Sequence, residues 1–157
     1  MNYQDWQTTV SDDITKDPLW SLEAYRLGLF IAEIGWHDVI ALNKNPLTRS
    51  LANQLIRALD SISANIAEGY SRSTGKDRAR FYEYSLGSAR EARDWYYKAR
   101  RVLREEVVEH RIALLTKIIK MLNVLIPKQR RKGLREEQAH YETIPENLDL
   151  TENIPMP

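Results

Sequence analysis

A chain of 157 residues is long enough for one domain with a substantial core and too short for two comfortable ones. The absence of cysteine excludes a disulfide framework, a thiolate metal site and a cysteine nucleophile. The formal net charge of +1 conceals a segregation: residues 1–17 carry four Asp against one Lys, residues 136–157 carry six acids and no Lys or Arg, and residues 18–135 hold 22 basic side chains against 12 acidic ones.

The opening stretch, "MNYQDWQTTVSDD", is acidic and has no apolar run of the kind a signal peptide needs, so residues 1–17 read as an acidic, extended N-terminal extension. Asp17 as N-cap and Pro18 at the first helical position start a helix predicted to run to about Leu42. Its longest apolar stretch, "LGLFIAEIGW", is interrupted by Glu33 and falls well short of the roughly 20 residues a membrane span requires. A soluble, cytoplasmic protein with no membrane partner is expected. "NKNP" interrupts the pattern, and Asn45-Pro46 opens a second helix to about Tyr70. Ser73 or Thr74 caps a third, ending near Arg104, and a fourth runs from Glu105 to Ile126, where Pro127 is expected to stop it. No strand pattern occurs. Short connections favour antiparallel neighbours, so the expected fold is all-α: an up-down-up-down four-helix bundle over residues 18–126. A basic segment, 127–135, and an extended acidic tail, 136–157, follow it.

Apolar residues recur at the helical period. The second helix gives Leu51, Leu55, Ala58, Ile62, Ile66 and Gly69; the third gives Phe81, Tyr84, Ser88, Ala92, Trp95, Ala99 and Val102. The fourth has two ridges, one through Val108, Leu115 and Leu122 and another through Leu114, Ile118, Met121 and Leu125. The first has a further ridge at Leu27, Ile31 and Ile34. One stripe per helix suffices for a single bundle, so the surplus predicts a subunit interface.

A polar ridge flanks the stripe of the second helix: Gln54, Arg57, Ser61, Asn65 and Glu68, at spacings of three and four. Folding the second and third helices into a hairpin sets Ala58 opposite Gly87 and brings Arg57 within reach of Ser88 and Glu91. The expectation is a half-buried structural seam with an Arg57–Glu91 pair at its centre.

"QLIRALDSISANIAEGYSR" followed by "RARFYEYSLGSAREARDW" resembles the four-helix bundle family encoded by intervening sequences of bacterial 23S ribosomal RNA genes. Relatives of that family include the accessory variability proteins of diversity-generating retroelements. The likeness extends over residues 18–126, with its specific core at 54–95, where Ser-Ile-x-x-Asn-Ile-Ala-Glu-Gly is followed by Gly-Ser-x-x-Glu. The resemblance implies a ring-shaped homo-oligomer, preferably a pentamer, and a basic surface that binds RNA or DNA and a reverse transcriptase.

The residues themselves also point to a phosphate-binding surface. Arg90, Arg93, Arg100, Arg101 and Arg104 cluster on the third helix with Tyr97 among them, and Lys128, Arg130, Arg131 and Lys132 follow the fourth helix. Arginine pairs with phosphate in bidentate fashion, and tyrosine adds a stacking platform. The alternative is a protein-binding scaffold whose basic face receives an acidic partner or the chain's own acidic tail. Catalytic, metal and cofactor sites are not expected. Glu33 and His37 are one turn apart but alone, the single Glu-x-x-His falls at Glu137–His140 in the tail, and "STGKD" lacks the upstream glycine of a phosphate loop.

Overall fold

The structure is a computed structural model that describes residues 2–131 and Met156. Among the described residues it is all-α, with α1 (Tyr3–Thr9), α2 (Asp12–Thr15), α3 (Glu23–Asn43), α4 (Arg49–Tyr70), α5 (Gly75–Ala99) and α6 (Glu105–Arg131). The Asp17-Pro18 and Asn45-Pro46 signals each open a single 3-10 turn, and the long helices begin a few residues later. Thr74 is the cap of α5: its Oγ accepts from the Asp77 amide at 3.1 Å and donates to the Asp77 carboxylate at 2.6 Å.

The four long helices pack in sequence, α3 on α4, α4 on α5, α5 on α6, and α3 meets α6 more lightly. Side-chain pairings set α3 against α4, and α5 against α6, in opposite directions. Gly28 lies against Ile62 and Ser63 while Gly35 lies against Leu59, and Arg78 meets Gln129 while Arg93 meets Thr116.

Glycine sets the closest approaches. A Cβ on Gly69 would stand 2.9 Å from Phe81 Cβ and from the Tyr82 ring, so the end of "SISANIAEGY" must be bare for α4 and α5 to meet beside their turn. A Cβ on Gly35 would stand 2.4 Å from Leu59 Cδ1 and 3.0 Å from the Tyr96 hydroxyl. That hydroxyl belongs to a buried network joining three helices. Asp38 of α3 accepts from Tyr96 Oη of α5 at 2.7 Å and from Arg111 Nε and Nη2 of α6 at 2.8 and 3.2 Å. All three side chains are fully buried.

Five expectations are corrected. Residues 1–17 are not extended: Asn2 caps α1 by accepting from the Asp5 amide at 2.8 Å, and Trp6 is buried against Phe30, Tyr3 and Trp20. An apolar α3 face offers these aromatics more burial than solvent does. Second, α6 does not stop at Pro127. Its last turn is held by the half-buried Arg78–Gln129 bond and the Arg130–Glu83 pair, which offset the one backbone bond a proline removes. Third, α5 ends at Ala99 rather than near Arg104, and buried Leu103 anchors the connection to α6.

Fourth, the buried face of α5 is turned by one residue. It comprises Ala79, Tyr82, Ser85, Leu86, Ala89, Ala92, Tyr96 and Ala99, leaving Tyr84 and Val102 exposed. Aromatics on both sides made the periodicity ambiguous. The small side chains Ala79 and Ala89 permit close packing, and Tyr96 finds a buried acceptor in Asp38. Fifth, the surplus ridges are internal: Leu27, Ile31 and Ile34 on α3, and Leu114, Ile118 and Leu125 on α6, are all buried within one chain.

Candidate nucleic-acid interface

The turned face of α5 dissolves the expected seam. Arg57 and Glu91 are both exposed, and Glu91 accepts from Trp95 Nε1 on its own helix at 3.2 Å. Ser61 donates to the Arg57 carbonyl, Asn65 to the Ser61 carbonyl and Ser88 to the Tyr84 carbonyl, while Glu68 pairs with Arg72. Gln54 is half-buried. These residues make a polar outer face stabilised within each helix. A Cβ on Gly87 would meet nothing within 4 Å, so Gly87 is not opposite Ala58. A hydrogen bond does cross between α4 and α5, from buried Ser85 to the Ile62 carbonyl, at 2.8 Å. Sequence spacing held no sign of it, because the choice between Ser85 and Ser88 depends on which face of α5 turns inward.

The basic ridge is on the surface, and its members divide by partner. Arg104 is ion-paired with Glu106 and also donates to the Met156 carbonyl. Arg130 is paired with Glu83, Lys98 with Asp94, and Lys117 with Glu23. By contrast, Arg90 and Arg101 are exposed with no carboxylate partner among the described residues, and Arg93 donates to a neutral hydroxyl, Thr116 Oγ1, at 3.2 Å. The guanidinium of Arg100 sits 3.8 Å above the Tyr97 ring centroid and donates to the Tyr97 carbonyl at 3.0 Å. Lys128 is half-buried and Arg131 exposed, at the end where α6 approaches the start of α5. Lys132 and the acidic residues 136–152 lie outside the described residues.

Thr116 and Lys120 extend this surface onto α6. The Arg93–Thr116 contact fixes the register between the helices, and one further turn of each brings Lys120 alongside Arg90. Lys120 is exposed and has no ion-pair partner among the described residues. Its role was invisible in the sequence because it depends on that interhelical register. The result is a strip of cations without carboxylate partners among the described residues: Arg90 and Arg93 about 4.5 Å apart along α5, Tyr97 one turn further, Arg101 just past the helix end, and Lys120 on α6. Such a strip can hold successive phosphates.

The buried Asp38–Arg111–Tyr96 network holds the most concentrated ionisable groups in the fold. Burial, reinforced by the Asp38 carboxylate, pushes the Tyr96 phenol well above its ordinary range, so it stays protonated as a donor to Asp38. Arg111 is further engaged with His110 Nδ1 at 2.9 Å. This cluster is inaccessible to solvent and binds three helices together. Glu33 and His37 are exposed, and no group of three or more His, Cys, Asp or Glu among the described residues is placed to hold a metal ion.

The family profile described as 23S rRNA-intervening sequence protein matches residues 36–124, more than half of the chain. The chain belongs to that family. The match runs from the second half of α3 through most of α6 and takes in the strip from Arg90 to Lys120. No curated protein and no solved structure matches the chain. The likeness to retroelement accessory proteins rests on the motif residues alone. No helix among the described residues is long and apolar enough to cross a membrane.

Proposed function

We propose that this member of the 23S rRNA-intervening sequence protein family is a non-enzymatic, oligomeric nucleic-acid-binding protein. Its ligand, RNA or DNA, is held on the α5–α6 strip. The observation that carries this reading is selective neutralisation. Arg104, Arg130, Lys98 and Lys117 are paired with carboxylates, whereas Arg90, Arg93, Arg101 and Lys120 are not. A run of cations without carboxylate partners around an exposed tyrosine supports phosphate binding there. The four long helices constitute an up-down-up-down bundle, five of which close into a ring. Support for assembly comes from Trp36 and Ile40, exposed one turn apart on α3 at 57% and 47%. Service to a reverse transcriptase belongs to the same proposal and rests on the motif likeness at residues 54–95.

The test is a titration of a labelled 20-nucleotide RNA at several salt concentrations. Log affinity falls linearly with log salt, by about 0.7 per phosphate contacted on a single strand. Arg93→Glu with Arg101→Glu abolishes binding and leaves the mass in light scattering unchanged. Equal RNA binding by parent and charge-reversed protein would discard the reading in favour of a scaffold for acidic proteins. A monomer at micromolar concentration would discard the ring.

A further inference from the structure

The position of Tyr97 within the strip narrows the ligand class. Tyr97 lies one turn beyond Arg93 on α5, four residues before Arg101, with 55% of its surface exposed. What sets Tyr97 apart from the other exposed aromatics is its surroundings: Arg93 one turn before it and Arg100 over its ring. Arg100 stacks on the ring at 3.8 Å and is fixed there by its bond to the Tyr97 carbonyl at 3.0 Å. The pair is therefore a preformed cation–π contact, with the guanidinium over one face of the ring, and it offers a stacking surface to another planar group. From Arg90 to Tyr97 the strip spans about 10 Å along α5, Arg101 follows just past the end of that helix, and Lys120 flanks it from α6. Its members offer phosphate-binding charge and a π-face, but no amide side chain of the kind that reads base edges.

We infer that the strip Arg90–Arg93–Tyr97–Arg101, with Lys120, takes unpaired nucleic acid rather than duplex, stacking a splayed base on the Tyr97–Arg100 pair. The inference rests on the nucleic-acid reading above and specifies its ligand. In a duplex both faces of each base are covered by neighbours, so the tyrosine has nothing to stack on and only the phosphates are held. An unpaired base has its faces free, and stacking on an aromatic is tolerant of sequence. Polyanionic charge complements the strip in either case. What selects the single strand is the ring.

The experiment uses the full chain and measures fluorescence anisotropy with U20 RNA, dT20 DNA and a 20-base-pair RNA duplex at one salt concentration. Both single strands bind more tightly than the duplex. Tyr97→Ala lowers single-strand affinity by about 5- to 150-fold and leaves duplex affinity unchanged, and Tyr97→Phe restores the single-strand preference. Tighter binding of U20 than of dT20 identifies RNA as the source of the strand, and equal binding identifies either; both outcomes support the inference. Duplex binding as tight as single-strand binding, or an equal loss for both with Tyr97→Ala, overturns it while leaving the nucleic-acid reading standing. Absence of binding to all three probes overturns that reading as well. Tyr97 is exposed, so circular dichroism of Tyr97→Ala matches the parent.

Discussion

Removing one charge from the buried Asp38–Arg111 pair is the most severe test of this fold. Both side chains are 0% exposed, and their geometry is bidentate, at 2.8 and 3.2 Å, with the Tyr96 hydroxyl a third donor at 2.7 Å. Arg111→Met strands a carboxylate among apolar side chains and leaves it one neutral donor; the expected cost is about 3–5 kcal/mol. Asp38→Asn preserves shape and still accepts from Tyr96, but it removes the counter-charge of the buried guanidinium, at a similar cost. The double variant strands neither charge. It should be less destabilised than either single one, by about 1–3 kcal/mol relative to the parent, because a buried ion pair contributes little net stability once its own desolvation is counted. Urea denaturation at one protein concentration measures this, since the proposed assembly would make apparent stability concentration-dependent. In thermal melts the single substitutions should appear as losses of roughly 6–20 °C for a chain of this size. If the double variant loses the sum of the two single losses, the pair is not coupled as the geometry requires.

Four further outcomes follow from the same structure. Tyr96 ionises in the unfolded chain near its ordinary value of 10.0 but resists ionisation in the fold, so stability falls as pH rises above about 10; Tyr96→Phe removes that alkaline component, as melts at pH 8 and pH 11 would reveal. Gly69→Ala forces a methyl group to within 2.9 Å of Phe81 and Tyr82 and should cost about 1–3 kcal/mol in urea denaturation. Arg57→Ala, at an exposed position with its neighbours bonded within their own helices, should change stability by no more than about 0.5 kcal/mol. Arg104 already holds Glu106 and the Met156 carbonyl, and residues 136–157 carry six acids, so truncation at residue 135 should tighten RNA binding at low salt.

The sequence by itself determined the helical class, the punctuation between the long helices and the inner stripe of α4. Asn45-Pro46, Thr74 and the run of Leu55, Ala58, Ile62 and Ile66 are local signals, written in caps and in a period of 3.6 residues. It also located the basic residues of α5, because charge is a property of composition. What it could not decide were the quantities that depend on contact between helices. On α5, aromatics at 81, 82 and 84 and again at 95, 96 and 97 made two faces equally apolar. Only the meeting of Tyr96 with Asp38 and Arg111 selected between them, and that choice opened the Arg57–Glu91 seam and exposed Gly87. The same held at both ends. Trp6 turned an acidic extension into a packed helix because Phe30 was there to receive it, and Gln129 carried α6 past a proline because Arg78 stood opposite. For the surface, the tertiary structure decided which arginines keep a free charge and placed Lys120 beside Arg90. Charge neutralisation is a matter of a few ångströms between side chains on different helices, and the period of a single helix carries no information about that distance.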